Sequence, residues 1–144
     1  MQVYEGGGRN SISGINATVF GGTSVLGMTI GSMLTSMGST CIYPYRGSNT
    51  IWDLKFKELK PTADMGNKAF VQLNDFANET EIKHVIRDQN VVVNCIGSHM
   101  WYSTDKEFED ANIRIPMTIA KVAKENPHVK RLIHISAAGA DPNS

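Results

Sequence analysis

A glycine-rich turn between two apolar segments limits the folds open to this chain more than any other feature. The turn consists of Gly21, Gly22, Thr23, Ser24, Val25, Leu26 and Gly27. It follows the short apolar run Ala17-Thr18-Val19-Phe20, which is typical of a β-strand. Apolar residues then recur at helical spacing and predict a helix that stops near Gly38: Leu26, Ile30, Met33, Leu34 and Met37. A second strand at 40–45 completes a βαβ unit of about 30 residues, provided that Pro44 lies near the strand end.

Three further apolar runs predict strands at 70–73, 91–96 and 131–136. Between the first two, Asn78 and Glu81 have the spacing of a capping box, and Ile82, Val85 and Ile86 are expected to face inward. A second helix is predicted from about Glu107 to Lys124, and residues 47–69 suggest a short helix followed by an irregular crossover. Five strands alternating with helices predict an α/β Rossmann-type domain, a doubly wound parallel sheet in the order 3-2-1-4-5.

The domain organisation follows from composition. Residues 1–15 form a Gly/Ser-rich arm, with a loop expected at 5–14, and residues 16–144 form one NAD(P)-binding Rossmann domain. Cys41 and Cys95 fall in separate strand-like runs, which favours reduced packing residues over a disulfide framework.

Several classes of function are disfavoured by composition. Fourteen basic residues balance fourteen acidic ones, so charge alone would not gather nucleic acid. No apolar run reaches the roughly 20 residues of a membrane-spanning helix, which indicates a soluble chain. His99, Met100 and Trp101 have no second histidine or cysteine at ligand spacing, so no metal site is expected.

The loops at the carboxyl ends of the strands are where such a sheet binds ligands. The glycine turn allows a tight bend and close packing, so that backbone N–H groups face a pyrophosphate, although glycines also serve in turns that bind nothing. The second strand ends at Arg46, where NAD-specific sites carry an acidic residue. An arginine there suits a 2′-phosphate, which favours NADP(H) and leaves NAD(H) open, unless Arg46 is an ordinary surface residue.

Two further loops supply candidate cofactor contacts. Asp75 and Phe76 follow the third strand and are expected beside the adenine, although Asp75 fits a loop or capping role equally well. Ile96 and Gly97 follow the fourth strand, where a small residue lets backbone approach a cofactor or simply ends the strand.

No catalytic residue is assigned. Tyr102 and Lys106 have the Tyr-x-x-x-Lys spacing of a proton-transferring pair, but the pair follows the fourth strand, whereas such enzymes carry it after the fifth. His134 and Ser136 lie on the fifth strand, and neither makes an active site alone.

Four segments together carry a specific resemblance: residues 8–14 (GRNSISG), 18–21 (TVFG), 43–47 (YPYRG) and 92–97 (VVNCIG). In this order and spacing they resemble the atypical extended short-chain dehydrogenase/reductases that serve as nucleotide-binding accessory subunits of mitochondrial respiratory complex I. The likeness runs from about Gly6 to Ser136.

The resemblance implies a non-catalytic NADP(H)-binding subunit with a structural or assembly role. It would lie peripherally on the matrix side of the mitochondrial inner membrane, among the other subunits of that assembly. The family's cofactor contacts would fall on Gly21, Gly22, Thr23, Gly27, Arg46, Asp75, Ile96 and Gly97. The alternatives are a catalytic NADP-dependent extended reductase or epimerase, and a nucleotide-sensing regulator with the same fold.

The sequence departs from the family pattern in three ways. Ser24 stands where the family has a third glycine, and Met28 stands where it has an arginine. Both changes are expected to weaken the pyrophosphate site, because the arginine's charge-assisted hydrogen bond is worth about 1.5–3 kcal/mol. The chain also lacks the family's C-terminal region, so the domain is expected to be truncated or split, with a second chain or segment completing the fold.

Overall fold

The computed structural model describes residues 3–6, 12–47, 67–98 and 104–137. These residues contain six strands, which are numbered along the chain: β1 (Val3–Gly6), β2 (Asn16–Phe20), β3 (Thr40–Tyr45), β4 (Asn67–Gln72), β5 (Val91–Asn94) and β6 (Arg131–His134). They form one sheet in the order β1-β4-β3-β2-β5-β6. The five strands from β2 onward are parallel and lie in the predicted order 3-2-1-4-5, so the Rossmann-type prediction is confirmed.

The register of β3 explains why its proline is tolerated. β3 pairs with β2 only from Thr40 to Ile42, whereas its pairing with β4 continues to Tyr45. Pro44 therefore lies beyond the last residue paired with β2, near the end of the strand, as the sequence required.

One prediction is wrong in the N-terminal segment. Glu5 and Gly6 were expected in a loop, but Val3–Gly6 forms an antiparallel edge strand along β4, with Val3 opposite Val71 and Gly6 opposite Lys68. Glycine-rich composition argues against burying side chains, whereas an edge strand can be held by its backbone hydrogen bonds. The sequence pattern therefore gave no sign of this strand.

Helix α1 (Val25–Ser36) ends where predicted, with Gly38 at φ 85° just beyond it. Its predicted apolar stripe is wrong in part, because three of the five side chains are 46–62% exposed: Leu26, Met33 and Met37. The fully buried positions are small ones: Gly27, Gly31 and Thr35. Tyr43 of β3 takes the space beneath the helix, since a Cβ atom on Gly31 would stand 2.5 Å from the Tyr43 hydroxyl.

Helix α2 (Glu79–Ile86) begins at the predicted cap, where the Asn78 side chain accepts a hydrogen bond from the Thr80 N–H at 3.0 Å. Glu81 does not close a capping box and instead accepts the Asn74 N–H at 2.7 Å. The three residues predicted to face inward are buried: Ile82, Val85 and Ile86.

The last helical segment is interrupted. Helix α3 (Asp105–Glu109) passes through a π-helical turn (Asp110–Arg114) into helix α4 (Ile115–Glu125). The predicted bounds of 107–124 are close, but the π turn was not predicted. Ile115, Ile119 and Val122 are buried as expected, whereas Phe108 and Ala111 are only half-buried.

The core has two layers, one on each face of the sheet. Alternate residues of β2 supply both, because successive side chains on a strand point to opposite faces. The layer beneath α1 contains Ala17, Val19, Cys41, Tyr43, Tyr45, Phe70 and Val93. The layer beneath α2 and α4 contains Phe20, Val71, Leu73, Phe76, Ile82, Val85, Ile86, Val92, Ile115, Ile119, Val122 and Ala123. Burying each large aliphatic or aromatic side chain contributes about 1.5–3 kcal/mol to the free energy of folding. These layers therefore hold in place the strand ends that carry the candidate site.

Candidate functional site

A cavity of about 510 Å³ opens at the carboxyl ends of β2, β3 and β5. Small-molecule sites commonly measure about 300–1,000 Å³. Seven of the twelve residues predicted to contact a cofactor line it: Gly21, Thr23, Ser24, Arg46, Phe76, Ile96 and Gly97. The other five are not among its lining residues: Gly22, Val25, Leu26, Gly27 and Asp75.

Gly21 forms the floor of the turn. Its φ of 74° lies in the left-handed region, and a Cβ atom there would stand 2.8 Å from the backbone carbon of Cys95. Only glycine therefore lets the end of β2 approach the end of β5 this closely. The approach brings the glycine turn and the β5 loop to the same cavity.

Ser24 links the first turn of α1 to the glycine turn that precedes it. Its Oγ accepts the Gly27 N–H at 3.1 Å and donates to the Gly21 carbonyl at 2.8 Å. Ser24 is therefore the N-cap of the helix and also stabilises the turn by a hydrogen bond across it. One of the N–H groups predicted to face a pyrophosphate is therefore satisfied by the protein. The N–H groups of Val25 and Leu26 have no acceptor within the helix, because the first turn of any helix lacks one.

Met28 leaves the turn unobstructed. Its half-buried side chain packs against the core layer beneath α1 and does not line the cavity. The position that carries an arginine in the resembling family therefore contributes packing here. Among the residues that the structure describes, the positive side chain that lines the cavity is Arg46, which is exposed at the end of β3 beside Pro44 and Tyr45.

Asp75 and Phe76 have separate roles. The Asp75 Oδ1 accepts the Ala77 N–H at 2.8 Å in the turn that leads to α2, which is the loop role left open by the sequence. Phe76 lines the cavity and packs edge-to-face against Phe20, with ring centroids 6.2 Å apart. Its ring offers an apolar surface on which a base could rest.

The loop after β5 is held by side-chain amides. Asn94 accepts the Ile96 N–H at 3.0 Å, and its Nδ2 donates to His134 Nδ1 at 3.1 Å. His134 is exposed, and this amide is its hydrogen-bond partner. These contacts fix the loop where Ile96 and Gly97 reach the cavity.

Asn112, which sequence reasoning missed, clamps the same loop from the π-helical turn. Its Oδ1 accepts the Ser98 N–H at 3.3 Å, and its Nδ2 donates to the Ser98 carbonyl at 3.0 Å and to the Phe108 carbonyl at 2.9 Å. A polar amide inside a predicted helix was the available signal, but its partner depends on the tertiary fold. π turns are frequent at functional sites.

Two acidic side chains, together called the acidic wall, reach the cavity from α3 and the π turn. They were not predicted from the sequence as part of the site. Glu107 and Asp110 both line the cavity. Asp110 pairs with Arg114 at 2.7 Å. Hydrogen bonds from Thr104 hold the pKa of Glu107 below its ordinary value, and the charge of Arg46 lowers it further.

Both thiols stay protonated at neutral pH. Burial raises the pKa of Cys41 to about 12. Burial also raises the pKa of Cys95, which is half-buried and lines the cavity. Neither is in a disulfide.

Some predictions fall outside the described residues. Tyr102, His99, Met100 and Trp101 belong to this group, as does most of the 47–69 crossover. Within the described ranges, no group of three or more potential metal ligands occurs. The helices in those ranges are all too short or too polar to cross a membrane.

Comparison with known proteins confirms the resemblance found in the motifs. NADH dehydrogenase (ubiquinone) 1 alpha subcomplex subunit 9, mitochondrial, of Arabidopsis thaliana is 40% identical over 138 residues, which cover 96% of this chain and 33% of the relative. The mouse protein of the same name is 38% identical over 96% of this chain and 35% of its own length. The mitochondrial NADH-ubiquinone oxidoreductase 40 kDa subunit of Neurospora crassa is 39% identical over 140 residues, with the same two coverages. The chain thus spans about a third of the length of these relatives.

Solved structures share the fold. A dehydrogenase/reductase from Sinorhizobium meliloti matches with a TM-score of 0.67 at 20% identity, over 92% of this chain and 58% of its own. A UDP-glucose-4-epimerase from Stenotrophomonas maltophila, solved with NAD and formylated UDP-arabinopyranose, matches with a TM-score of 0.66 at 18% identity, over 86% of this chain and 37% of its own. AtPrR2, solved with NADP⁺ and (+)pinoresinol, matches with a TM-score of 0.62 at 20% identity, over 82% and 35%. No family model matches the chain.

Proposed function

We propose that this chain is the nucleotide-binding part of an accessory subunit of mitochondrial respiratory complex I, and that its cavity holds NADP(H). The observation that carries the proposal is the joint lining of one cavity by the glycine turn and by Arg46. The similarity to complex I subunits supports the setting, and the fold, shared with structures solved with NADP⁺ or NAD, supports a nucleotide ligand.

The start of α1 provides the pyrophosphate contact. Helix N-termini attract anions, because their free N–H groups and the helix dipole both favour negative charge. Gly27 contributes less than predicted, since its N–H is bonded to Ser24. Val25 and Leu26 would contribute through their backbone N–H groups alone, next to Ser24, which lines the cavity, although neither residue lines it itself.

Arg46 provides the contact that favours NADP(H) over NAD(H). A guanidinium forms charge-assisted, often bidentate, hydrogen bonds with phosphate, and its position at the end of β3 is where the adenosine 2′ group lies in Rossmann sites. Phe76, Ile96 and Gly97 would contact the adenosine from the other side of the cavity.

The role we propose is to hold the cofactor for structure or assembly, without turnover. The Tyr102-x-x-x-Lys106 spacing comes between β5 and β6, with Lys106 inside α3, and not after β6, where reductases carry their proton-transferring pair. The subunit would sit peripherally on the matrix side of the inner membrane, in contact with other subunits of the complex.

Nucleotide extraction from the purified assembly tests the proposal. NADP(H) is expected at one equivalent per copy of this chain, and Arg46→Gln is expected to lower that content. Arg87→Gln is the matched control, because Arg87 pairs with Asp88 on the surface and does not line the cavity. Recovery of NAD(H) alone from this subunit, or equal NADP(H) content in the two variants, would contradict the proposal.

A further inference from the structure

The cavity carries opposite charges on two of its walls. Arg46 reaches it from the end of β3, and Glu107 reaches it from the first turn of α3. Both side chains are exposed to solvent at the cavity, where a ligand would meet them. Any anionic group placed beside Arg46 therefore also meets the field of Glu107.

The Glu107 carboxylate is fixed in place. Its Oε2 accepts the Thr104 N–H at 3.0 Å and the Thr104 hydroxyl at 2.9 Å, while the Glu107 N–H donates to Thr104 Oγ1 at 3.3 Å. This reciprocal arrangement is a complete capping box. Swinging the carboxylate away from a ligand would break the cap of α3, so the charge stays where it is.

The other carboxylate of this wall is already compensated. Asp110 pairs with Arg114 at 2.7 Å. Glu107 is held by a threonine, which brings no charge of its own. Among the described lining residues, Glu107 is therefore the carboxylate without a cationic partner, and it interacts electrostatically with Arg46.

We propose that Glu107 sets the cofactor preference of this site by opposing Arg46 across the cavity. The inference rests on the proposed nucleotide-binding function. A carboxylate facing Arg46 competes with a 2′-phosphate for the guanidinium and repels that phosphate directly. The same carboxylate can accept a hydrogen bond from a 2′-hydroxyl, as the acidic residue at the strand end does in NAD-specific sites.

In this arrangement, the choice between NADPH and NADH depends on residues of two elements, β3 and α3. The arginine at the end of β3 favours the phosphate, and the glutamate of α3 limits how strongly that preference is expressed. The wild-type site therefore binds NADPH more weakly than Arg46 alone would allow, and accepts NADH better.

Glu107→Gln isolates the charge. Glutamine at this position keeps the capping box, so the helix start is retained. Glu109→Gln is the matched control, because Glu109 lies on the same short helix, is exposed and does not line the cavity. Both variants remove one negative charge, and only one of them changes the cavity wall.

The measurement is the Kd of NADPH and of NADH for the purified full chain, at low and at high salt. Glu107→Gln is expected to tighten NADPH binding by about threefold to tenfold, the size of one Coulomb interaction in a solvated site, with NADH unchanged or weaker. The gain is expected to shrink at 1 M salt, where the Debye length is about 3 Å. Glu109→Gln is expected to change either Kd by less than about twofold.

Two results would overturn the inference. Wild-type chain that binds a nucleotide, with the same NADPH-to-NADH ratio in both variants, would refute the role of Glu107 and leave the proposed function standing. Wild-type chain that binds neither nucleotide would refute both.

Discussion

Gly27 lies directly against Gly21, so that a Cβ atom on Gly27 would collide with the Gly21 carbonyl. Ser24 bridges the same two residues, accepting from the Gly27 N–H and donating to the Gly21 carbonyl. The start of α1 is thus packed onto the end of β2 with no spare room. This contact fixes the start of α1 at the end of β2, where the N-cap Ser24 lines the cavity.

Gly27→Ala is expected to destabilise the fold, because the added methyl meets backbone atoms that cannot move aside independently. Overpacking of this kind costs about 1–3 kcal/mol. Thermal or urea unfolding measures the loss, with Thr29→Ala on the exposed face of α1 as the control. Equal stability of the two variants would show that the turn can relax.

Ser24→Gly is expected to tighten NADPH binding by about tenfold, because it frees the Gly27 N–H for a phosphate oxygen. The apo protein is expected to lose only a few tenths of a kcal/mol, since glycine is a tolerable N-cap, whereas Ser24→Ala is expected to cost about 1 kcal/mol. Titration of both variants beside their unfolding curves tests the prediction. Weaker binding by Ser24→Gly would mean that the serine itself contacts the ligand.

Asn112→Ala is expected to weaken nucleotide binding, because the Ser98 and Phe108 backbone groups lose the side chain that holds the β5 loop. Each hydrogen bond lost is expected to cost about 0.5–1.5 kcal/mol of stability. Asn126→Ala is the control, since Asn126 caps the carboxyl end of α2 through the Ile86 carbonyl, away from the cavity. Both variants are expected to lose stability, and only Asn112→Ala is expected to lose affinity. An unchanged Kd for Asn112→Ala would limit this residue to a stabilising role.

The two cysteines are expected to differ in reactivity. Cys95 lines the cavity, so alkylation should be slow at pH 7, faster at pH 9 as thiolate forms, and slowed by bound NADPH. Cys41 is buried with a pKa near 12 and should react only after unfolding. Mass spectrometry of labelled peptides follows both sites. Labelling of Cys95 that NADPH does not slow would place the nucleotide elsewhere.

The sheet was predictable because its evidence is local. Strands β2 to β6 are marked by apolar runs, and the glycine turn and Arg46 sit at strand ends that the topology brings together. Strand β1 was not predictable, since an edge strand in glycine-rich sequence contributes mainly backbone hydrogen bonds. The α1 stripe was misread because Tyr43, distant in sequence, decides which face of the helix is buried.

The acidic wall was also not predicted, because the position of its side chains depends on tertiary packing rather than on the local sequence. Glu107 was predicted as the start of a helix, which is correct within two residues. That its carboxylate meets a cavity depends on how α3 packs over the β5 loop, and this packing is set by Asn112 and the π turn. Residues that are polar in a helical pattern give no indication of which tertiary neighbour they face.

A density map of the native assembly tests the central claim most directly. The account predicts density for a dinucleotide in this cavity, with its pyrophosphate at the N–H groups of Val25 and Leu26 and a 2′-phosphate at Arg46. A cavity filled by protein side chains, or a nucleotide whose pyrophosphate lies away from the start of α1, would contradict it.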